Sequence, residues 1–202
     1  MKIILVPRVI VINKSQIEYS IDENWYKFLK NVFYKPKIFL PYDQFSYKEI
    51  DLIIIGGGND LNLIIKNESN QAREKISKKF FNIALKNNIP LIGVCYGAQF
   101  IASYFKCKIG PVKNHTKDHE IVLKNINDKK FKKKYLVNSY HNFGILKSGK
   151  NINNLAISTD NSIELFIHNK FKMLGIMWHP ERYKKFKLLD KDLFRLFVKS
   201  HI

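Results

Sequence analysis

The stretch Pro90-Leu91-Ile92-Gly93-Val94-Cys95-Tyr96-Gly97-Ala98-Gln99 decides how this chain folds. Leu91 to Val94 is an apolar run of strand length, bounded by Pro90 and Gly97. From Ala98 onward, Phe100, Ile101, Tyr104 and Phe105 recur at spacings of three and four, the period of a helix. Cys95 therefore falls where a buried strand turns sharply into a helix. Gly93 and Gly97 flank the turn and let backbones approach where a bulkier residue would clash. A turn of this kind holds a nucleophile exposed at a helix N-terminus, where the dipole and free N–H groups favour a thiolate. On its own, a cysteine closing an apolar strand is an inert core residue. Its reading depends on what the rest of the chain supplies.

Upstream, Leu52-Ile53-Ile54-Ile55 is a second continuous apolar run, of the kind that suits a parallel sheet covered on both faces. It ends in Gly56-Gly57-Gly58-Asn59-Asp60. Three glycines can form a plain flexible turn. At the C-terminal end of a buried strand they also occupy the place where open α/β sheets bind ligands, with bare N–H groups available to an anion or a developing oxyanion. The spaced glycines of a dinucleotide site are missing. Gln71 to Asn87 reads as a long helix with Ala72, Ile76, Phe80, Ile83 and Ala84 turned inward. Strand, glycine loop, helix, strand, elbow and helix make a right-handed βαβα unit. Before it, Ile3 to Val6 and Pro36 to Leu40 read as strands. Between them a helix opens at Asp22 as N-cap and buries Trp25, Phe28, Leu29 and Val32.

The second half is richer in β-structure. Glu120–Leu123, Tyr135–Asn138, Leu155–Ser158, Ile163–Ile167 and Lys172–Met177 are five strand candidates. Asp160-Asn161 supplies turn chemistry between the third and fourth, and the fourth and fifth belong to a hairpin meander. Phe186 to Ile202 is an amphipathic helix with Leu188, Leu189, Leu193, Leu196 and Phe197 on its inner face. The expectation is one α/β domain over residues 1–202, with a mostly parallel central sheet between helical layers and a β-rich second half.

Hydrophobic residues make up 46% of the chain, which argues against disorder. The apolar start, Ile3 to Val6, is too short for a secretory segment, and no run reaches membrane-spanning length. The cysteines, Cys95 and Cys107, do not suggest a disulfide framework, so a cytoplasmic protein is expected. The net charge is +18. The lysines are spread widely apart from clusters at 129–134 and 184–187. A solvated basic surface is expected rather than a nucleic-acid footprint, and no membrane partner. Such a field favours an anionic small-molecule substrate. Arg182, Lys113 and Lys117 are candidate phosphate contacts by position.

The strand ending at Met177 leads into Trp178-His179-Pro180-Glu181-Arg182. A bare His-Pro-Glu reads first as a turn with incidental polar residues. Placed opposite a cysteine elbow, the histidine is a general base to the thiol, and the glutamate holds its other ring nitrogen.

Gly-Val-Cys-Tyr-Gly-Ala-Gln at 93–99, Gly-Gly-Gly at 56–58 and Trp-His-Pro-Glu at 178–181 together resemble the class I glutamine amidotransferase superfamily. Val137-Asn138-Ser139-Tyr140-His141 resembles that family's substrate-binding loop, and Ala156 to Ile163 its hairpin before the final strand. The resemblance spans nearly the whole chain and implies the flavodoxin-like fold of that family. It implies Cys95 as nucleophile forming a γ-glutamyl thioester, His179 as base and acid, and Glu181 as its orienter. It implies an oxyanion hole from the amides of Gly57 and Tyr96. It also implies a glutamyl pocket lined by Gln99, and a loop of Tyr140, His141 and Asn142 that receives the α-amino and α-carboxylate groups. His141 is read equally well as a loop histidine that only packs. No cofactor and no metal are implied.

Gly58 stands where many members have proline, and Asn142-Phe143-Gly144 departs from the glutamine-containing loop of γ-glutamyl hydrolases. The Gly-Gly-Gly-Asn-Asp loop is nevertheless closer to that hydrolase branch. With no synthetase domain fused to it, the chain is expected either to hydrolyse a γ-glutamyl amide or to pass ammonia to a partner synthase. A nucleic-acid-binding or inactive relative is a third reading, opposed by the intact Cys95, His179 and Glu181.

Overall fold

A computed structural model of the protein describes residues 1–124 and 131–200. Lys129 and Lys130 of the first lysine cluster, and the last two residues of the expected C-terminal helix, lie outside the described residues.

The chain starts with strand β1 (Lys2–Val6) and an antiparallel hairpin, β2 (Arg8–Asn13) and β3 (Gln16–Ser20). Helix α1 (Asn24–Val32), β4 (Lys37–Phe39) and β5 (Leu52–Ile55) follow. Then come α2 (Glu68–Asn87), β6 (Leu91–Val94) and α3 (Tyr96–Tyr104). The second half holds β7 (Lys108–Pro111), β8 (His119–Leu123), β9 (Lys134–Val137) and β10 (Phe143–Lys147). It closes with β11 (Ile152–Ser158), β12 (Ile163–His168), β13 (Met173–Ile176) and α4 (Leu188–Ser200).

The main sheet runs β4-β1-β5-β6-β13-β12-β11-β8-β9, with β10 paired to β12 and β7. Strands β4 to β13 in that order are parallel, and from β13 onward each neighbour is antiparallel. β13 is thus the seam between the two halves. Alternate residues of β1 and β5 feed two separate apolar layers, as the period of two requires. Ile4, Val6, Ile53 and Ile55 pack with Phe80, Phe81 and Ile101 of α2 and α3. Ile3, Leu5, Leu52 and Ile54 pack with Phe28 of α1 and Leu193, Phe194 and Phe197 of α4. This is the expected mostly parallel α/β sandwich with a β-rich second half. Among the described residues no helix is long and apolar enough to cross a membrane.

Several local expectations are corrected. The β2–β3 hairpin lies outside the expected strands, because β3 is exposed along most of its length and shows no buried face. β7 and β10 are further strands beyond the five expected in the second half. Helix α1 starts at Asn24, and Asp22 caps it from one residue further out, its Oδ1 accepting the Asn24 N–H at 3.0 Å. Helix α2 starts at Glu68, where the Asn67 side chain accepts the Asn70 N–H at 2.8 Å. Its buried face holds Arg73, Ser77 and Phe81, while Ala72 and Ile83 are only partly covered. In α4, Leu188 is exposed, and Phe194 takes the inner position by packing edge-on against Phe28 at 5.0 Å.

Helix α4 is locked to the sheet by a buried polar bond, Trp178 Nε1 donating to Asp190 Oδ1 at 2.7 Å. Burial pushes the Asp190 carboxyl up to about 7; the Trp178 bond and the Lys187 charge only partly offset this. A carboxyl with a raised folded value stabilises the fold at low pH and loses that contribution as pH rises from 3.8 towards 7. Asp190→Asn keeps an acceptor for Trp178 and removes the titration. Its melting temperature should exceed the wild type's by about 2–4 °C per kcal/mol recovered near pH 8, with a smaller difference near pH 5. Equal differences at both pH values would show that Asp190 is not the titrating group.

Candidate active site

The elbow at Cys95 is a tight backbone junction. Cys95 has φ 52° and ψ −103°, a region that side-chain-bearing residues rarely occupy. Its N–H donates to the Ile176 carbonyl of β13 at 2.8 Å, and its carbonyl accepts the Gln99 N–H at 3.0 Å to open α3. A Cβ on Gly97 would stand 2.0 Å from the Ile55 carbonyl oxygen, and one on Gly93 2.4 Å from the carbonyl carbon and oxygen of Gly97. Only glycine permits β5, β6 and the first turn of α3 to touch through their backbones.

His179 leaves the end of β13. Asn138 clamps its backbone: Asn138 Oδ1 accepts the His179 N–H at 2.8 Å, and Asn138 Nδ2 donates to the His179 carbonyl at 2.9 Å. The Asn138 N–H in turn donates to Tyr183 Oη at 2.8 Å. The His179 ring is buried, with Nδ1 2.6 Å from Glu181 Oε1. Glu181 sits on the short 3-10 turn Pro180–Arg182 and is itself buried. Burial alone would push the imidazole down. The Cys95 and Glu181 charges, with hydrogen bonds to both, outweigh it and raise His179 to about 9. The ring therefore carries a proton through neutral pH, between the sulfur and the carboxylate.

The glycine loop closes over this pair. A Cβ on Gly57 would lie 2.5 Å from His179 Cε1 and 3.3 Å from Cys95 Cβ. Beneath the loop, the fully buried Arg73 donates through Nη2 to the Gly56 carbonyl at 2.7 Å, and its guanidinium lies 4.8 Å over the Tyr96 ring. Burial lowers Arg73 to about 10, still far above neutrality. The Gly56 carbonyl and the Gly57 N–H share one peptide group, so a cation on the oxygen strengthens the N–H as a donor. Arg73 escapes a reading of the sequence because a cation on a helix reads as solvent-facing.

The remaining expected residues divide. Gln99 is buried and donates from Nε2 to the Phe143 carbonyl at 2.7 Å, tying α3 to β10. Tyr140 is half-exposed, edge-on to His179 at 5.5 Å, with the Arg182 guanidinium 5.0 Å from its ring. Asn142 is exposed, its carbonyl accepting the Val112 N–H at 3.0 Å. The His141 ring turns inward, 4.9 Å from the His115 ring and 3.9 Å from Glu164 Oε1. The packing alternative fits this position, because a fully buried Glu164 carboxylate gathers imidazoles around itself. Lys113 and Lys117 are exposed.

A cavity of about 230 Å³ opens beside Gly57 and Gly58, bordered by Arg8, Ser20, Asp22 and Arg182. Arg182 Nε is 3.3 Å from Asp22 Oδ2. The β2–β3 hairpin supplies Arg8 and Ser20. Asn59 fastens it to the glycine loop, accepting the Val9 N–H at 2.9 Å and donating to the Val9 carbonyl at 2.7 Å. The signal in the sequence is the β-branched run Val9–Ile12 followed by Asn13-Lys14-Ser15.

Comparison with known proteins identifies the family of the chain. The model of the family described as Glutamine amidotransferase class-I matches residues 12–199. A Campylobacter jejuni protein named gamma-glutamyl-CDP-amidate hydrolase is 41% identical over 140 residues, 68% of this chain and 66% of that protein. A subunit of the glutamine-hydrolyzing GMP synthase of Methanococcus aeolicus is 30% identical over 137 residues, 66% of each chain. Each match thus spans just under two thirds of the relative. In the structure of PurLQS from Thermotoga maritima, one chain superposes with a TM-score of 0.71 at 19% identity, covering 100% of this chain and 99% of that one, a likeness of fold. The elbow, the glycine loop and the match across residues 12–199 lead to one conclusion: the chain belongs to the class I glutamine amidotransferase family.

Proposed function

We propose that the protein hydrolyses a γ-glutamyl amide through a covalent thioester on Cys95. One observation carries the reading: a Cβ on Gly57 would stand 3.3 Å from both Cys95 Cβ and His179 Nε2, so the cysteine and the ring meet under the glycine loop, while Glu181 holds the other ring nitrogen at 2.6 Å. The Cys95 sulfur attacks the γ-carbonyl carbon, and the carbonyl electron pair moves onto oxygen. The N–H groups of Gly57 and Tyr96 receive that charge, the first strengthened by Arg73. As the carbonyl re-forms, the C–N bond breaks and the leaving nitrogen takes the proton from His179. His179 then accepts a proton from water, whose oxygen attacks the thioester. Glutamate departs, and the sulfur is freed for the next cycle. Glu181 keeps the ring turned towards the sulfur throughout. Gln99 lines the glutamyl pocket, and the loop of Tyr140, His141 and Asn142 receives the α-amino and α-carboxylate groups.

Within this chemistry the substrate we favour is γ-glutamyl-CDP-amidate, cleaved to glutamate and CDP-amidate (cytidine diphosphoramidate) in capsular polysaccharide modification. The name of the Campylobacter relative supports it. So does the cavity beside Gly57, where Arg8 and Arg182 suit a diphosphate. The net charge of +18 would steer such an anion inward. A glutaminase subunit feeding ammonia to a partner synthase is the second reading, favoured by the Methanococcus relative, itself named as part of a GMP synthase.

Cys95→Ala should leave less than about a hundredth of the rate. Cys107→Ser should keep most of it. The Cys107 thiol is pushed up by burial and is occupied in accepting the Gly149 N–H at 3.1 Å. A Cys95→Ala protein that retained most of its turnover would end the covalent mechanism.

His179→Asn should be nearly as damaging as Cys95→Ala, because groups acting as a unit are non-additive. Glu181→Gln should be milder, since it orients the ring without touching the reacting atoms. Single-turnover rates of the two variants decide the ranking, which is wrong if Glu181→Gln is the slower.

Side-by-side kinetics on glutamine and γ-glutamyl-CDP-amidate test the substrate. Both share the γ-glutamyl half, so discrimination must come from the leaving group. A phosphate held by one or two cations supplies on the order of 2–4 kcal/mol, or roughly 30- to 1,000-fold in kcat/KM. Arg8→Ala should erase much of that preference and leave glutamine turnover unchanged. Equal kcat/KM for both compounds in the wild type would move the glutaminase reading to first place.

A further inference from the structure

Away from the cysteine, the loop before β8, the first residue of β8, the loop 138–142 and β12 bring four ionisable side chains together. His115 and Glu164 are almost fully buried, and His119 nearly so. His115 Nδ1 stands 3.3 Å from Glu164 Oε1, and His119 Nε2 3.6 Å from Glu164 Oε2. Donor atoms of these three residues all lie within 4.8 Å of one another. His141, also buried, has Nε2 3.9 Å from Glu164 Oε1. The nitrogens of His119 and His141, Nδ1 of His115 and Oε2 of Glu164 are buried and make no hydrogen bond of good geometry. Buried polar atoms left unpaired in this number are costly.

From this arrangement we infer that His115, His119 and Glu164 bind a zinc ion, with His141 as the nearest further donor. Imidazole nitrogen with carboxylate oxygen is a donor set that suits zinc. Bonds of about 2.0–2.1 Å in a tetrahedral site place donor atoms roughly 3.3–3.5 Å apart, close to the spacings to Glu164. The surroundings are those of a metal-binding histidine. His115 Nε2 lies 3.1 Å from Asp160 Oδ2, which fixes the proton on that nitrogen and leaves the Nδ1 lone pair facing Glu164. Two acceptors that face each other need a cation between them. Asp160 is itself held, its Oδ1 accepting from the Ser158 hydroxyl and from the Ser162 N–H at 3.0 Å. The competing occupant is a second proton on His115, which would then donate from Nε2 to Asp160 and from Nδ1 to Glu164. It would leave His119 and His141 without partners.

The site's work is structural. Ser139 Oγ donates to the His115 carbonyl at 2.5 Å, and the His141 N–H donates to the same oxygen at 3.0 Å. A metal here pins the loop 138–142 to β12, and that loop carries Asn138, the clamp on His179, and Tyr140 beside it. The inference stands whether or not the proposed substrate is right.

The test uses the full chain, free of any histidine tag and stripped with a chelator. Addition of zinc should load one ion per chain by elemental analysis. At about 100-fold excess over Kd it should raise the melting temperature by about 5–10 °C. Cobalt should give the visible bands of a tetrahedral site without thiolate charge transfer, and Cys95→Ala should load zinc equally, which separates this site from the cysteine. His119→Ala, at the least buried of the ligands, should fold but bind no zinc, and Glu164→Gln should do the same. Loading well below one ion per chain, or unchanged loading in folded His119→Ala, overturns the inference and leaves the proton as occupant.

Discussion

The backbone of Gly97 against the carbonyl of Ile55 is the contact on which the rest of the structure depends. A Cβ would come within 2.0 Å of that oxygen, so the helix can begin where it does only with glycine there. The contact brings the first turn of α3 against the ends of β5 and β6 together. From β5 comes the glycine loop, from β6 the cysteine, and from β13, the next strand over, the histidine. The spatial order β5-β6-β13 is therefore the order of the site itself. Displacing α3 by the width of a methyl group would part Cys95 from Gly57 and break the Gln99 bond to Phe143 in the same movement.

Around that contact the protein buries several charged and polar side chains, and three of them are held by a specific partner. Arg73 holds the Gly56 carbonyl, Glu181 holds His179, and Asp190 holds Trp178. Glu164 sits among histidines. An unpaired buried charge costs several kcal/mol, so these partners can hardly be lost one at a time. The Arg73–Gly56 and Asp190–Trp178 pairs also cross between elements that the apolar layers alone would leave free to slide. The polar bonds fix their relative placement.

The parallel half is legible because each of its central strands is an unbroken apolar run. Leu52–Ile55 and Leu91–Val94 begin and end where their residues announce. The hairpin β2–β3 is not, since its second strand is solvent-facing and a strand without a buried face leaves no hydrophobic period. The inner face of α2 is half legible. Phe80 and Ile76 follow the helical stripe, but Arg73 and Ser77 are buried by what lies above them, which apolar periodicity cannot encode. Cys95, His179 and Glu181 are readable because each lies in a short motif whose local geometry is nearly self-contained. His141 keeps two readings in the sequence, and the direction of its ring is decided by Glu164, a residue on another strand. His115, His119 and Glu164 meet only through topology, and no spacing in the sequence announces them.

The dihedral angles of Cys95 have a thermodynamic consequence. A side chain held at φ 52° and ψ −103° carries strain of order 1–3 kcal/mol, which the surrounding backbone contacts must sustain. Glycine would occupy the same turn with less strain, so on backbone grounds alone the fold has no use for a cysteine there. The proposed nucleophile is retained against the conformational preference of its own turn. Cys95→Gly would relieve that backbone strain and remove the proposed nucleophile in one change, so local conformational preference and the proposed reaction pull in opposite directions at position 95.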